Sequence, residues 1–148
     1  MSTLFAFLHH LAAFTLVSAI AVEFVLLREK LTLGSARRLL ATDAVVGVSA
    51  TLVLVVGLLR VFYFEKGAAY YFASPAFLTK LTVFVAVAVL SIVPTLEFLS
   101  WRAAVHAGQM PQPSAKKIEI LRSVLRIELA GVVVIVLCAA IMARGGWI

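Results

Sequence analysis

Charge is scarce in this chain of 148 residues: Asp, Glu, Lys and Arg make up 14 % of it, about half the ~25 % usual in a soluble domain. A soluble globular protein is therefore not expected. Cysteine is almost absent, with Cys138 alone inside an apolar run, which excludes an intramolecular disulfide framework and a multi-Cys zinc or iron-sulfur site. Four prolines and three histidines are the other scarce residues, so each is informative by position. What is abundant is apolar: 64 % of the chain is hydrophobic, gathered in four runs of roughly the ~20 residues that cross a bilayer. The 13 basic residues outnumber the 7 acidic ones, but they are scattered along the boundaries of these runs. No nucleic-acid partner is expected from such a distribution; the lipid bilayer is.

The runs read as helices over about 4–27, 44–64, 75–99 and 115–142, filling one transmembrane domain over 1–148. Arg28, Glu29, Lys30, Gly34, Ser35, Arg37 and Arg38 form a charged turn between the first two. Ser74 and Pro75 make an N-cap and first-turn pair for the third, in which Pro94 should kink the last turns. Trp101 and Arg102 mark an interface, residues 108–117 form a polar loop, and Gly145 and Gly146 stop the fourth helix. Short connections make neighbours antiparallel, so the expected fold is all-α, an up-down-up-down four-helix bundle. Lys and Arg concentrate in the first connection (Arg28, Lys30, Arg37, Arg38) and the third (Arg102, Lys116, Lys117, Arg122). The positive-inside rule places both in the cytoplasm and the termini on the outer side of a bacterial inner membrane. The first run has no basic leader and is expected to remain as a span rather than be cleaved. Gly47, Ala50 and Gly57 line one side of the second helix, as in close helix packing, and small faces on the first two helices suit a homodimer.

Ionisable residues inside a bilayer cost about 2.5–3.5 kcal/mol each even on insertion scales, so they mark candidate sites. They fall into two layers. One holds His9 and His10 in the first helix, Arg60 near the end of the second and Lys80 near the start of the third, at similar depth. Adjacent histidines point about 100° apart, so one at most looks into the bundle. Glu23 lies within about 40° of the His9 direction; if Glu23 faces inward, so does His9. Imidazole with cations from two other helices has the make-up of a haem b site, the imidazole ligating iron while Arg60 and Lys80 neutralise propionates. The same histidines also suit hydrogen-bonded packing, or copper with a sulfur such as Met1. His106 belongs to the opposite end, which excludes two histidines on one iron within a chain. Aromatic residues around Tyr63, Tyr70 and Tyr71 form an interfacial belt or the rim of a cofactor pocket.

The other layer holds Glu23, Asp43, Glu97, Arg126 and Glu128, with Glu119 and Arg122 nearer water. Glu119, Arg122 and Arg126 form a self-compensating ladder on one helix face. Glu128 points away from it and needs a partner on another helix or a proton of its own; with Glu23 it is the candidate for proton handling.

The segments Leu8-His9-His10-Leu11-Ala12-Ala13-Phe14, Gly57-Leu58-Leu59-Arg60-Val61-Phe62 with Glu65-Lys66-Gly67-Ala68-Ala69-Tyr70-Tyr71, and Lys80-Leu81 resemble a family of small bacterial membrane proteins over essentially the whole chain. More distantly the layout is similar to HemJ-type protoporphyrinogen oxidases, through Lys80-Leu81-Thr82-Val83-Phe84-Val85, and to CopD-type copper-resistance membrane domains, through Leu121-Arg122-Ser123-Val124-Leu125-Arg126-Ile127-Glu128-Leu129. The first resemblance implies haem b and oxidation of a porphyrinogen, with His10 matching its first-helix histidine. The second implies copper handling, although the Met-rich and His-rich elements of copper passage are missing. The expected function is a haem-dependent redox protein, with quinone, quinol or porphyrin as partner; the alternative is copper binding or transport without haem.

Overall fold

The second, third and fourth spans each begin where a side-chain oxygen meets free backbone N–H groups. In the computed structural model, which describes residues 2–145, Thr32 Oγ1 accepts from the Ser35 N–H at 3.1 Å and Ser35 Oγ accepts from the Thr32 N–H at 2.8 Å. This reciprocal cap starts α2 (Leu33–Leu59) about three turns before the apolar run at Ala44. Gly34, Ser35, Arg37 and Arg38 are thus helical rather than part of a turn, and only Glu29–Thr32 connect α2 to α1 (Ser2–Arg28). α2 continues into a wider π-helical segment, Arg60–Phe64, and a short helix α3 (Ala68–Phe72) occupies the next connection. Gly67, at φ 87°, supplies the left-handed residue that turns the chain between them.

Ser74 caps α4 (Pro75–Leu90), accepting from the Phe77 N–H at 3.4 Å. The third span breaks at Ser91 and resumes as α5 (Ile92–His106). Pro94 explains the position: its ring blocks the Leu90 carbonyl one turn back and it has no N–H to offer. Ser91 Oγ donates to the Val87 carbonyl at 2.9 Å in that gap. Ser114 caps α6 (Ala115–Ala143), accepting from the Lys117 N–H at 3.2 Å. Gly145 follows with φ 99°; Gly146 lies outside the described residues.

Four helical spans, Ser2–Arg28, Leu33–Phe64, Pro75–His106 and Ala115–Ala143, are long and apolar enough to cross a membrane, and the described residues contain no strand. α1 packs on α2 and α6, α4 on α6, and α5 on α2. Ile20, Leu27, Leu39, Phe98, Leu121 and Leu125 form the centre of the core, at the end of the bundle that carries the first and third connections. Trp101 belongs to this core instead of an interface: it is 4 % exposed, lies edge-on to Phe98, and donates to Glu97 at 2.9 Å. The opposite end is held by aromatic contacts, with Phe5 stacked on Phe64 at 4.4 Å and Tyr71 and Phe72 each 5.4 Å from Phe77. Outside, Phe14, Leu96 and Val133 are more than 60 % exposed, an apolar surface suited to lipid.

Small residues play two different parts. A Cβ on Gly131 of α6 would stand 2.5 Å from Val87 of α4, so this glycine lets two helices approach closely. Gly47 faces open space, contrary to a helix-packing role, while Gly57 faces the His9 side chain.

Candidate functional site

His9 and His10 part company. His10 Nδ1 donates to the Ala6 carbonyl of its own helix at 2.6 Å, and the residue is exposed on the lipid side. The His9 ring lies 6.1 Å away at 89° to it and turns into the bundle, where its Nδ1 is buried without a hydrogen-bond partner. A Cβ at position 57 would stand 3.0 Å from His9 Cε1 and 3.4 Å from Nδ1, so Gly57 provides the floor on which the imidazole rests. The Val53 backbone carbonyl of α2 lies within hydrogen-bonding reach of the same ring, and Lys80 and Arg60 are among its charged neighbours. Three spans and the π segment thus meet at one imidazole.

Arg60 is not free there. Its Nη2 and Nε reach Glu65 Oε1 at 2.7 and 3.2 Å. Five residues along an α-helix put two side chains about 140° apart; the wider π turn and the extended backbone of Glu65 bring these two together. Lys80 is different: among the described residues the ion pairs use Glu65, Glu97 and Glu119, and none includes Lys80. Its neighbours include Cys138 of α6, which is 2 % exposed. Tyr70 turns to other company, its hydroxyl accepting from Lys66 Nζ at 3.3 Å and its ring lying 5.3 Å from that of Tyr71. Tyr71 is the tyrosine near Arg60 and Glu65; burial holds its phenol above the ordinary tyrosine range, Glu65 adding to the effect and Arg60 and Lys66 opposing it. Tyr71 belongs to the aromatic rim expected from sequence; Glu65, Gly57 and Cys138 were not site candidates from sequence, because helix rotation and a π turn leave no mark on hydropathy.

At the other end the polar residues divide in two. The ladder on α6 closes on itself, with Arg126 Nη2 at 2.8 Å and Arg122 Nη1 at 3.7 Å from Glu119. Arg122 Nε also donates to the Leu27 carbonyl at 2.7 Å, satisfying the last turn of α1. Glu97 is paired to Lys117 at 3.0 Å. Deeper in, Glu23 and Glu128 are each 1 % exposed and Asp43 is 8 % exposed. Asp43 accepts from Thr95 Oγ1 at 2.8 Å, whereas Glu23 Oε1 and both Glu128 oxygens have no partner.

Copper would need convergent ligands. The two histidines diverge, Met1 lies outside the described residues, and among those residues no three His, Cys, Asp or Glu side chains gather as a metal site.

No curated protein and no solved structure matches this chain. A sequence family described as Predicted membrane protein (DUF2214) matches residues 1–146, and the chain belongs to that family.

Proposed function

We propose that this membrane protein binds haem b through His9 and works in redox chemistry at the membrane face nearest that residue. The observation that carries the reading is the inward imidazole of His9, with a buried and unpartnered Nδ1 and, as neighbour, the Lys80 ammonium, which joins no ion pair among the described residues. The donor set fits: an imidazole for iron, and a lysine without a carboxylate to pair a propionate. When bound, haem b supplies reversible one-electron transfer. His9 holds the group, Lys80 neutralises a propionate, and Arg60, balanced by Glu65, orders the rim through the π segment. Gly57 leaves the imidazole room to take its orientation.

In this reading His9 is the ligand, and His10, whose Nδ1 donates to Ala6, is not. If the Lys80 segment resembles the HemJ-type helix, porphyrinogen is the reductant class, and a haem at the outer face suits quinol. Basic residues gathered at the first and third connections put that end in the cytoplasm of a bacterial inner membrane and His9 at the outer face. Nothing comparable supports copper.

The test is an absorption spectrum of detergent-purified protein, oxidised and dithionite-reduced, after expression with ample haem. The expected result is a Soret band with α and β bands that sharpen on reduction, lost in His9→Ala, kept in His10→Ala and weakened in Lys80→Ala, all with unchanged helical circular dichroism. A flat visible spectrum, or full haem content in His9→Ala, overturns the proposal.

A further inference from the structure

The carboxyls of Glu23 on α1, Asp43 on α2 and Glu128 on α6 occupy one neighbourhood in the interior, Glu23 lying within electrostatic reach of both others. With Arg122 donating to the Leu27 carbonyl, the rise of an α-helix sets Glu23 about 6 Å and Glu128 about 9 Å deeper than that contact. Glu23 is thus level with Arg126 and Glu128 about 3 Å beyond it, inside the apolar span. We propose that Glu23, Asp43 and Glu128 together form an intramembrane proton-binding site, whose carboxyls carry exchangeable protons.

The argument starts from what surrounds them. Three cations of α6 are committed elsewhere: Arg122 and Arg126 to Glu119, and Lys117 to Glu97. Lys80, Arg60 and the His9 imidazole gather at the opposite end of the bundle. Among the described residues no cation is a charged neighbour of the three carboxyls, and a buried carboxylate without a counter-ion is held only at great expense of solvation. Protonation removes that charge. Ser91, at the break between α4 and α5, lies beside Glu128, and its hydroxyl hydrogen is already given to the Val87 carbonyl. Thr95 supplies the single hydroxyl bond in the cluster, to Asp43.

A second, independent observation separates this cluster from an acidic patch. Glu128 is 1 % exposed with both oxygens unpartnered, and Glu23 is equally buried with Oε1 unpartnered. The proton balance is simple: each carboxylate takes up one proton to become a neutral acid, and no electron moves. The inference does not depend on haem.

Infrared spectroscopy of the purified protein in lipid tests it through the carbonyl stretch of protonated carboxylic acids. At neutral pH the wild type should show this band, the band should move to lower frequency in D2O, and Glu128→Gln, Glu23→Gln and Asp43→Asn should each remove a share of it. Helical circular dichroism and monodisperse elution qualify each variant, and the remaining two serve if one fails to fold. No band at neutral pH, a band insensitive to D2O, or a band unchanged in the folded variants overturns the proposal. Loss of the band on replacing potassium chloride by sodium chloride at fixed pH also overturns it, and identifies a sodium site instead.

Discussion

Gly57 and His9 touch across the α1–α2 interface so closely that a side chain on the glycine would press on the imidazole, 3.0 Å from Cε1 and 3.4 Å from Nδ1. The contact constrains the rotation of α1 at this end, because the ring lies over a position on α2 that has no Cβ. It also decides which histidine is inward.

Substitution at this glycine therefore sets two effects against each other. Ala in place of Gly within a helix is favourable by up to about 1 kcal/mol, while crowding the imidazole costs about 1–3 kcal/mol. Gly57→Ala should show none of its helix-propensity gain in thermal unfolding in detergent, and Gly57→Val should be clearly destabilised. In a His9→Ala background Gly57→Ala should become stabilising. A Gly57→Ala gain of equal size in both backgrounds would mean that the contact carries no energy.

Gly131 makes the corresponding contact between α4 and α6, with Val87 Cγ2 only 2.5 Å from where a Cβ would be and Val83 Cγ1 3.6 Å away. Overpacking of this kind costs about 1–3 kcal/mol. Gly131→Ala should lower the unfolding temperature, and Val87→Ala in the same chain should restore much of the loss. Absence of rescue would place the strain elsewhere on that interface.

Tyr71 offers a pH readout outside the spans. Its phenol ionises above the ordinary tyrosine value because burial disfavours the phenolate and Glu65 repels it. A group whose folded pKa is raised stabilises the fold in full below its unfolded value, near 10, and that contribution is lost as pH rises through the folded value. Ultraviolet titration should show a late tyrosinate step that disappears in Tyr71→Phe and moves to lower pH in Glu65→Gln. A titration curve unaltered by Tyr71→Phe would contradict this placement.

Much of the architecture was legible one residue at a time. Four spans follow from runs of apolar residues as long as a bilayer is thick, and the starts at Ser74-Pro75 and the break ahead of Pro94 follow from backbone chemistry. The ladder of Glu119, Arg122 and Arg126 was legible too, since spacing along one helix determines it. The start of α2 was not read, because its reciprocal cap pairs Thr32 with Ser35 inside a stretch whose charges resemble a turn.

Angles about the helix axes were decided only by the tertiary structure. In lipid the outward and inward surfaces of a helix are both apolar, so hydropathy has little angular signal. Whether Trp101 anchors at an interface or fills the core, and whether Gly47 or Gly57 meets a neighbour, depends on how the helices rotate against each other. The partner of Arg60 depends on a π turn, and the meeting of Glu23, Asp43 and Glu128 depends on three helices crossing at one depth. Sequence determined that polar groups enter the membrane, because their residue types and depth lie in the chain itself; packing determined which of them meet, because contact between helices is a property of no single segment.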